Sequence, residues 1–165
     1  MKKVLKGMIV SVFVCVSFCL IACGGAKPKT FTSDAGISIT LTDVFYEKSM
    51  VSQTLYLESQ KAIFVALKED FSSFSNLGYN TESMTLMDYA NLVISNNKLD
   101  VSATENDGLV SFNYSKDVSG KDFYYKAYVF KGSDAFWLCQ FACENSNKNT
   151  YDDQFNTWAK TIKIN

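Results

Sequence analysis

The sequence predicts an α+β domain in which an antiparallel sheet of about six to seven strands carries helices packed on its faces. Three observations support this fold class. Short stretches alternate apolar and polar residues between Gly, Asn and Asp turns, which is typical of half-buried strands. Turn residues recur regularly between residues 99 and 143, which indicates a meander of four strands. Two other stretches repeat apolar residues with helical spacing, and each indicates an amphipathic helix.

The first half of the domain is predicted to begin with three strands. Residues 37–41 alternate apolar and hydroxyl side chains after a turn that ends at Gly36, as a half-buried strand does. Residues 54–58 and 62–68 flank a short polar connection, and the second stretch is rich in β-branched and aromatic residues. These two stretches are predicted to form a hairpin.

A helix is predicted after an irregular connection over residues 71–83, which has no clean period. Thr85 and Asp88 have the spacing of a capping box. The residues after Thr85 that share one apolar helical face are Leu86, Tyr89, Ala90, Val93 and Ile94. Asn96 and Asn97 are predicted to end this helix.

Four consecutive strands are predicted next. Residues 99–104 and 109–114 flank Asp107-Gly108, and an Asp-Gly pair supplies the positive φ angles that a tight hairpin needs. Residues 122–130 and 135–143 follow, separated by further glycine-containing turns. Because the last strand is apolar on both faces, helices are expected to cover both sides of the sheet.

A second helix is predicted to close the domain. Thr150 with Asp153 three residues later has the spacing of an N-terminal cap. The aromatic and aliphatic stripe of this helix consists of Tyr151, Phe155, Trp158 and Ile162. Such spacing is the ordinary signature of a buried helix face, so it favours core packing over a ligand site.

The N-terminus has the composition of an export signal. Three lysines, Lys2, Lys3 and Lys6, precede an apolar run that ends at Leu20-Ile21-Ala22-Cys23. The charge-free run over residues 7–22 is 16 residues long, whereas about 20 are needed to cross a bilayer. An uncleaved membrane anchor and an ordinary secretory signal remain the alternatives.

The stretch around Cys23 resembles the lipobox of bacterial lipoproteins, in which a small residue precedes the modified cysteine and an aliphatic residue lies three positions before it. Ala22 and Leu20 fit this pattern, whereas Cys15 and Cys19 follow bulky residues. The resemblance implies that residues 1–22 are removed and that Cys23 carries diacylglycerol and palmitate chains. The protein would then lie on the extracytoplasmic side of the cell membrane, with residues 23–30 as lipidated cysteine and tether and residues 31–165 as one domain.

The order strand, hairpin, helix, four-stranded meander and helix resembles that of the PsbP-like and Mog-type α/β/α sandwich, which includes DcrB-like bacterial lipoproteins. The resemblance covers roughly residues 31–164 and rests on Gly36-Ile37-Ser38-Ile39, residues 85–94, Tyr114-Ser115 and residues 155–162. Thr42 departs from the pattern, since many relatives have a proline after the first strand. The resemblance implies a non-catalytic binding or accessory domain, and no functional residue transfers with it.

Composition excludes several functions. The chain has 13 Phe, 9 Tyr and 2 Trp, which is enough apolar mass for a core without disulfides. Loss of the three signal lysines changes the formal net charge from −1 to −4, and this acidic balance argues against nucleic acid as a partner. The sequence contains neither Arg nor His, so bidentate phosphate recognition and imidazole chemistry are excluded.

No stretch matches a phosphate loop, a nucleophile elbow, a zinc cluster or an EF-hand, so no catalytic, cofactor or metal residue is predicted. Asp152 and Asp153 are paired carboxylates, but they are predicted to lie in the first turn of a helix and to offset its dipole. Asp117 and Asp122, near the hairpin tips, leave a weak cation site open.

One group of strand residues has two interpretations. Lys126 and Lys131 lie near three tyrosines, Tyr124, Tyr125 and Tyr128. The group forms either a polar and aromatic surface on one sheet face or, more commonly, solvated positions beside packed aromatic rings.

Cys139 and Cys143 are the two thiols that remain after lipidation. In one continuous strand they are about 13 Å apart, whereas a disulfide needs Cα atoms within about 7 Å. Two free thiols that pack as small apolar side chains are therefore predicted, with a disulfide as the alternative.

Two classes of function remain. The first is a membrane-tethered module, without a cofactor, that binds an envelope protein, a peptide or a wall polymer through an exposed sheet edge or aromatic surface. The second is a hydrolase or thiol enzyme that uses Lys or a carboxylate instead of His. The missing imidazole favours the first class. A deep pocket in which Lys or a carboxylate points at Ser, Thr or Cys would favour the second.

Overall fold

A computed structural model describes residues 25–165. The predicted lipobox, from Leu20 to Cys23, lies outside the described residues. The strands are β1 (Pro28–Ser33), β2 (Ile37–Thr42), β3 (Tyr46–Glu47), β4 (Leu55–Glu58), β5 (Ala62–Asp70), β6 (Thr104–Asn106), β7 (Leu109–Val118), β8 (Lys121–Lys131), β9 (Ala135–Glu144) and β10 (Lys163–Ile164). The helices are α1 (Phe71–Ser75), α2 (Leu86–Asn96) and α3 (Lys148–Ala159), and a 3-10 turn (Asn145–Asn147) precedes α3.

The strands form two antiparallel sheets. The larger sheet has seven strands in the order β3-β4-β5-β9-β8-β7-β6, and the smaller has three in the order β1-β2-β10. With helices on the larger sheet, this architecture confirms the predicted α+β class. No helix from Gly25 onward is both long and apolar enough to span a membrane.

The smaller sheet is centred on β2. Ile37, Ile39 and Leu41 alternate with polar residues and are buried, as predicted for this stretch. The strand lies in the smaller sheet, where it pairs with β1 on one side and β10 on the other. Thr161, just before β10, accepts a hydrogen bond from the Thr40 amide at 3.0 Å, so segments far apart in sequence hold β2 in place.

The predicted tether over residues 23–30 overlaps the first strand of the domain. Pro28 and Thr30, predicted to lie in it, are part of β1 and pair with Thr42 and Thr40. Pro28 is the first residue of an edge strand, where a missing N–H interrupts no ladder. The prediction was wrong because a proline at a strand start leaves no local signal that distinguishes it from a linker.

Both tight hairpin turns of the meander are confirmed. Asp107-Gly108 has φ angles of 52° and 74°, and Ser119-Gly120 has 56° and 81°. Positive φ at both central residues matches the twist of the flanking strands. The first strand of the meander differs from its prediction over residues 99–104, because only Thr104–Asn106 form ladder bonds. Three residues before them, Leu99, Val101 and Ala103, pack against the α2 cluster instead.

The helix α2 is confirmed with its cap. The Thr85 hydroxyl accepts from the Asp88 amide at 3.1 Å, and the Asp88 carboxylate accepts from the Thr85 amide at 2.9 Å. Four of the five predicted face residues are buried: Tyr89, Ala90, Val93 and Ile94. Asn97 caps the C-terminus as expected.

One short helix was not predicted, and the predicted start of another was wrong. The connection over residues 71–83 contains the short helix α1, whose Phe74 is buried. The closing helix begins at Lys148, and its N-cap is Asn147 instead of Thr150. The 3-10 turn leads directly into α3 and extends the helix upstream of the capping pattern. Phe155 and Trp158 are buried and Tyr151 is half-buried, which confirms these three positions of the predicted core face. Ile162 packs on the same cluster but lies beyond the helix, which ends at Ala159.

Helices cover both faces of the larger sheet, as the apolar last strand predicted. One face, here called the α3 face, presents Tyr124, Tyr128, Trp137, Cys139, Phe141 and Cys143 toward α3 and the smaller sheet. The opposite face, here called the α2 face, presents Val65, Leu67, Glu69, Phe136, Leu138 and Gln140. On that face α2 packs mainly on β7 and β8.

Cys139 and Cys143 are free and buried, as predicted. Burial raises the pKa of both thiols, that of Cys143 to about 11. We expect alkylation under native conditions to be slow and alkylation after denaturation without reductant to add two labels, measured by intact mass. A denatured chain that takes up no label would contradict both the free thiols and the strand that separates them.

Candidate binding groove

A groove lies on the α2 face because α2 is too short and too far to one side to cover the whole sheet. The helix has 11 residues, or about 16 Å, while the 10 residues of β9 extend about 33 Å. Part of the strip over β5 and β9 therefore has no helix above it, while α1 covers the end of the strip at Phe136. The resulting groove has a volume of about 460 Å³, which is within the range of small-molecule sites.

The groove has an apolar floor and a mixed rim. Its floor consists of Val65, Leu67, Phe112, Tyr125, Leu138 and Gln140, with Phe74 and Tyr89 at one end. Its rim consists of Gln53, Leu92, Asn96, Asn97, Lys98, Leu99, Tyr114, Lys116, Asp117, Val118 and Ser119. Three elements that are distant in sequence, α2, the β5–β9 pair and the β7–β8 turn, therefore contribute to one concave site.

The closed end of the groove contains a buried carboxylate. Glu69 lies opposite Phe136 in the β5–β9 ladder, and only 9% of its surface is exposed. The Tyr89 hydroxyl donates a hydrogen bond to the Glu69 carboxylate. The Tyr89 ring stacks on Phe136 with ring centroids 4.5 Å apart. Burial raises the pKa of Glu69, and the Tyr89 hydrogen bond opposes this shift only in part.

The middle of the groove carries a second polar pair. The Gln140 side-chain amide donates to the Tyr114 hydroxyl at 2.6 Å. Tyr114 stacks on Tyr125 with centroids 4.9 Å apart, and burial raises the pKa of both hydroxyls, that of Tyr125 to about 12. Since Tyr114 accepts from Gln140 and keeps its proton, its O–H is free to donate to a ligand.

The open end of the groove is polar and solvated. Asn96 and Lys98 at the end of α2 face the β7–β8 turn, where Lys116 and Asp117 are exposed. The Asp117 carboxylate accepts from the Gly120 amide at 3.0 Å and so shapes the turn itself. A ligand would therefore leave the apolar floor through a rim of amides and charges.

Asp117 and Asp122, the two carboxylates considered for a weak cation site, each bind a different partner. Asp122 accepts from the Asn145 side-chain amide at 2.8 Å, while Asp117 caps its own turn. Within the described range, no three Cys, Asp or Glu side chains come together in a geometry that would hold a metal ion.

The paired carboxylates have different surroundings from those predicted. Since α3 begins at Lys148, Asp152 lies beyond its first turn and does not act on the dipole as predicted. It faces the sheet, where the Asp152 carboxylate accepts from the Tyr124 hydroxyl at 2.5 Å and from Lys126 Nζ at 2.7 Å. Burial tends to raise the pKa of Asp152, but these two hydrogen bonds lower it overall. These two hydrogen bonds join α3 to strand β8 of the larger sheet.

The predicted lysine and tyrosine surface does not exist as one face. Lys126 and Tyr124 lie on the α3 face, whereas Tyr125 and Lys131 lie on the α2 face. Lys131 Nζ donates to the Thr81 carbonyl at 2.7 Å, so it anchors the segment before α2. The alternation of a strand separates residues that are adjacent in sequence.

Sequence reasoning missed Glu69 and the groove. One signal was present: alternation places Glu69 on the same face as Val65 and Leu67, which are apolar. A carboxylate at a strand position whose neighbours on the same face are buried is unusual, so it indicates a candidate binding site. The groove itself left no local signal, because it depends on where α2 packs.

No family model matches this sequence, and no curated protein matches it. The solution structure of cyanobacterial PsbP (CyanoP) from Synechocystis sp. PCC 6803 is similar, with a TM-score of 0.53 and 11% identity over 88% of this chain and 99% of that chain. A crystal structure from Bacteroides thetaiotaomicron VPI-5482 has a TM-score of 0.51 and 11% identity over 84% of this chain and 49% of that one. LpqN of Mycobacterium tuberculosis, involved in cell envelope biogenesis, has a TM-score of 0.48 and 14% identity over 86% of this chain and 92% of that one. The first of these likenesses shows that this chain has a PsbP-like fold.

Proposed function

We propose that this protein is a lipid-anchored extracytoplasmic lipoprotein that acts as a non-catalytic binding or accessory module of the cell envelope. The groove on the α2 face is its binding site, and an envelope protein, a peptide or a wall polymer is its ligand. The groove is the observation that carries this proposal: a concave, largely apolar surface of about 460 Å³ with a few inward polar groups is the usual form of a binding site.

The chemistry of the groove supports binding over catalysis. Covalent catalysis needs a nucleophile beside an activating base. Both thiols lie on the α3 face, away from the groove, and burial holds them protonated. Ser119, a hydroxyl on the rim, lies in an exposed turn. The alternative of a hydrolase or thiol enzyme therefore gains no support from the residues that line the groove.

The start of the described chain is consistent with a short membrane tether. The Lys27 amide donates to the Asp43 carboxylate at 2.9 Å, and the Asp43 amide donates to the Lys27 carbonyl at 2.7 Å. Only residues 24–26 separate Cys23 from this clamp, a span of about 10 Å when extended. Lipidation of Cys23 would hold the domain against the membrane surface.

Cys23→Ser is expected to block maturation and to release or mislocalise the domain, because Cys23 alone fits the lipobox. Phase partitioning in detergent measures the anchor: the wild-type protein should enter the detergent phase. A soluble form that begins at Lys27 keeps all of β1 and the Asp43 clamp, so it should fold and remain in the aqueous phase. Wild-type protein in the aqueous phase would contradict the anchor.

The groove is tested by site-specific photocrosslinking in intact cells. A photoreactive phenylalanine analogue at Leu92, on the α2 wall of the groove, is expected to give one defined adduct. The matched control carries the analogue at Thr157, which is exposed on α3 at the opposite side of the sheet. The adduct mass then tells whether the ligand is protein, peptide or glycan.

The control decides the interpretation of the adduct. An adduct from Leu92 and none from Thr157 supports the groove as the binding site. Equal labelling from both positions, or none from Leu92, would mean that the groove is not the binding site.

A further inference from the structure

Glu69 is a buried carboxylate for which the described residues supply no cation. Among residues 25–165 no ion pair involves Glu69, and its hydrogen-bond donor is the neutral Tyr89 hydroxyl. An ionised carboxylate without a cationic partner is costly to bury. A single neutral donor offsets only part of that cost, so the position is unfavourable in the free domain.

The two lysines nearest in the sheet are committed elsewhere. Lys131, two strands away on the same face, donates to the carbonyls of Thr81 at 2.7 Å and Met84 at 3.1 Å. Lys68, adjacent in sequence, points to the other face and pairs with Asp134 at 2.8 Å. Neither lysine neutralises Glu69, and the carboxylate is left at the closed end of an accessible groove.

The walls and floor beside Glu69 are apolar and suit a ligand in which the cation is carried on an apolar stem. Tyr89 and Phe74 form a rigid aromatic wall at the same end of the groove, since both rings are buried and pack against each other. Leu67 and Leu138 then continue the floor as an apolar strip. A ligand with a positive group at its tip and an apolar segment behind it matches both features at once.

We infer that the groove takes a ligand carrying a primary ammonium group on an apolar or aromatic stem, with the ammonium against Glu69 and the stem over Leu67 and Leu138. This inference rests on the proposed binding role of the groove and adds the chemical class of the ligand. The ammonium group supplies the cation that the domain lacks, and the stem covers the exposed floor.

Tryptamine and tryptophol test this inference as a matched pair, because they share an indole and a two-carbon stem and differ in an ammonium against a hydroxyl. Binding is measured by equilibrium dialysis with the full mature lipoprotein in nanodiscs, and empty nanodiscs give the blank. Wild-type protein is expected to bind tryptamine at least about tenfold more tightly than tryptophol, as for a hydrogen-bonded charge pair.

Glu69→Gln keeps the size of the side chain and removes its charge, so it is expected to abolish the preference for tryptamine while leaving tryptophol unchanged. Glu82→Gln makes the same change in net charge at an exposed position outside the groove, and should behave as wild type. Because Glu69 is buried with a raised pKa, Glu69→Gln should melt no lower than wild type at pH 7. This result separates lost selectivity from unfolding.

The outcomes separate this inference from the proposed function. Equal binding of both probes to wild type, blocked by Leu92→Trp, would overturn the ammonium preference and leave the groove as a binding site. A preference that survives in Glu69→Gln would also overturn it. If wild type binds neither probe, the inference is wrong, while crosslinking at Leu92 still decides the proposed function.

Discussion

Replacing Trp158 by alanine is expected to lower the free energy of unfolding by about 3–5 kcal/mol, the range for a large aromatic residue removed from a packed core. Trp158 is 7% exposed, and its indole meets the Phe45 ring edge-on with centroids 5.3 Å apart. It also contacts Phe141 on the sheet and Phe155 on its own helix. The cavity would therefore open where α3, the larger sheet and the β2–β3 connection meet.

Lys160→Ala is the matched control for Trp158→Ala. Lys160 follows α3 and pairs with Asp107 at 2.8 Å, and both side chains are more than half exposed. Exposed ion pairs contribute little, so the loss should be well under about 1 kcal/mol. Urea unfolding monitored by circular dichroism measures both variants. Similar midpoints for the two variants would show that the buried side of the closing helix is misassigned.

Asp152→Asn is expected to lower the free energy of unfolding at pH 7 by about 1–2 kcal/mol, because it removes the charge that pairs with the buried Lys126. The Lys126 side chain is only 10% exposed. The Asp152 side chain is 38% exposed, so solvent screening reduces the effect below that of a fully buried pair. Asp153→Asn, at an exposed neighbouring position, should cost under about 0.5 kcal/mol.

The effect of Asp152 should depend on pH. Its pKa is lower in the folded protein than in the unfolded chain, where a carboxyl titrates near about 4. Its stabilisation is therefore complete above that value and is lost as the pH falls through the lower folded pKa. Wild type and Asp152→Asn should differ in urea midpoint at pH 7 and converge near about pH 2. A constant difference at both pH values would mean that the charge of Asp152 is not responsible.

Features of the fold that depend on neighbouring residues were predictable from the sequence. The Thr85–Asp88 cap and the turns at Gly108 and Gly120 each need particular side chains or φ angles within a few positions. Local chemistry therefore identifies them without knowledge of the rest of the chain. The meander and α2 followed from these signals.

Features that depend on distant residues were not predictable. The strand β2 has the pattern of any half-buried strand, and only its pairing with β1 and β10 places it in the smaller sheet. The start of α3 depends on the 3-10 turn that precedes it, which overrides the pattern at Thr150. The groove at Glu69 exists because α2 packs on β7 and β8, and that position is a property of the whole fold.

The pairing of β2 has a consequence for the order in which the protein folds. Its partner Thr161 lies 121 positions from Thr40 in the sequence, so this contact has a high loop-closure cost. Strand pairings between distant segments form slowly, whereas the hairpins of the meander are local. The meander should therefore gain protection against hydrogen exchange early, and the pairing of β2 with β10 late. Until β10 docks, Ile37 and Ile39, which are buried in the folded domain, remain exposed, so this segment is prone to aggregate during folding.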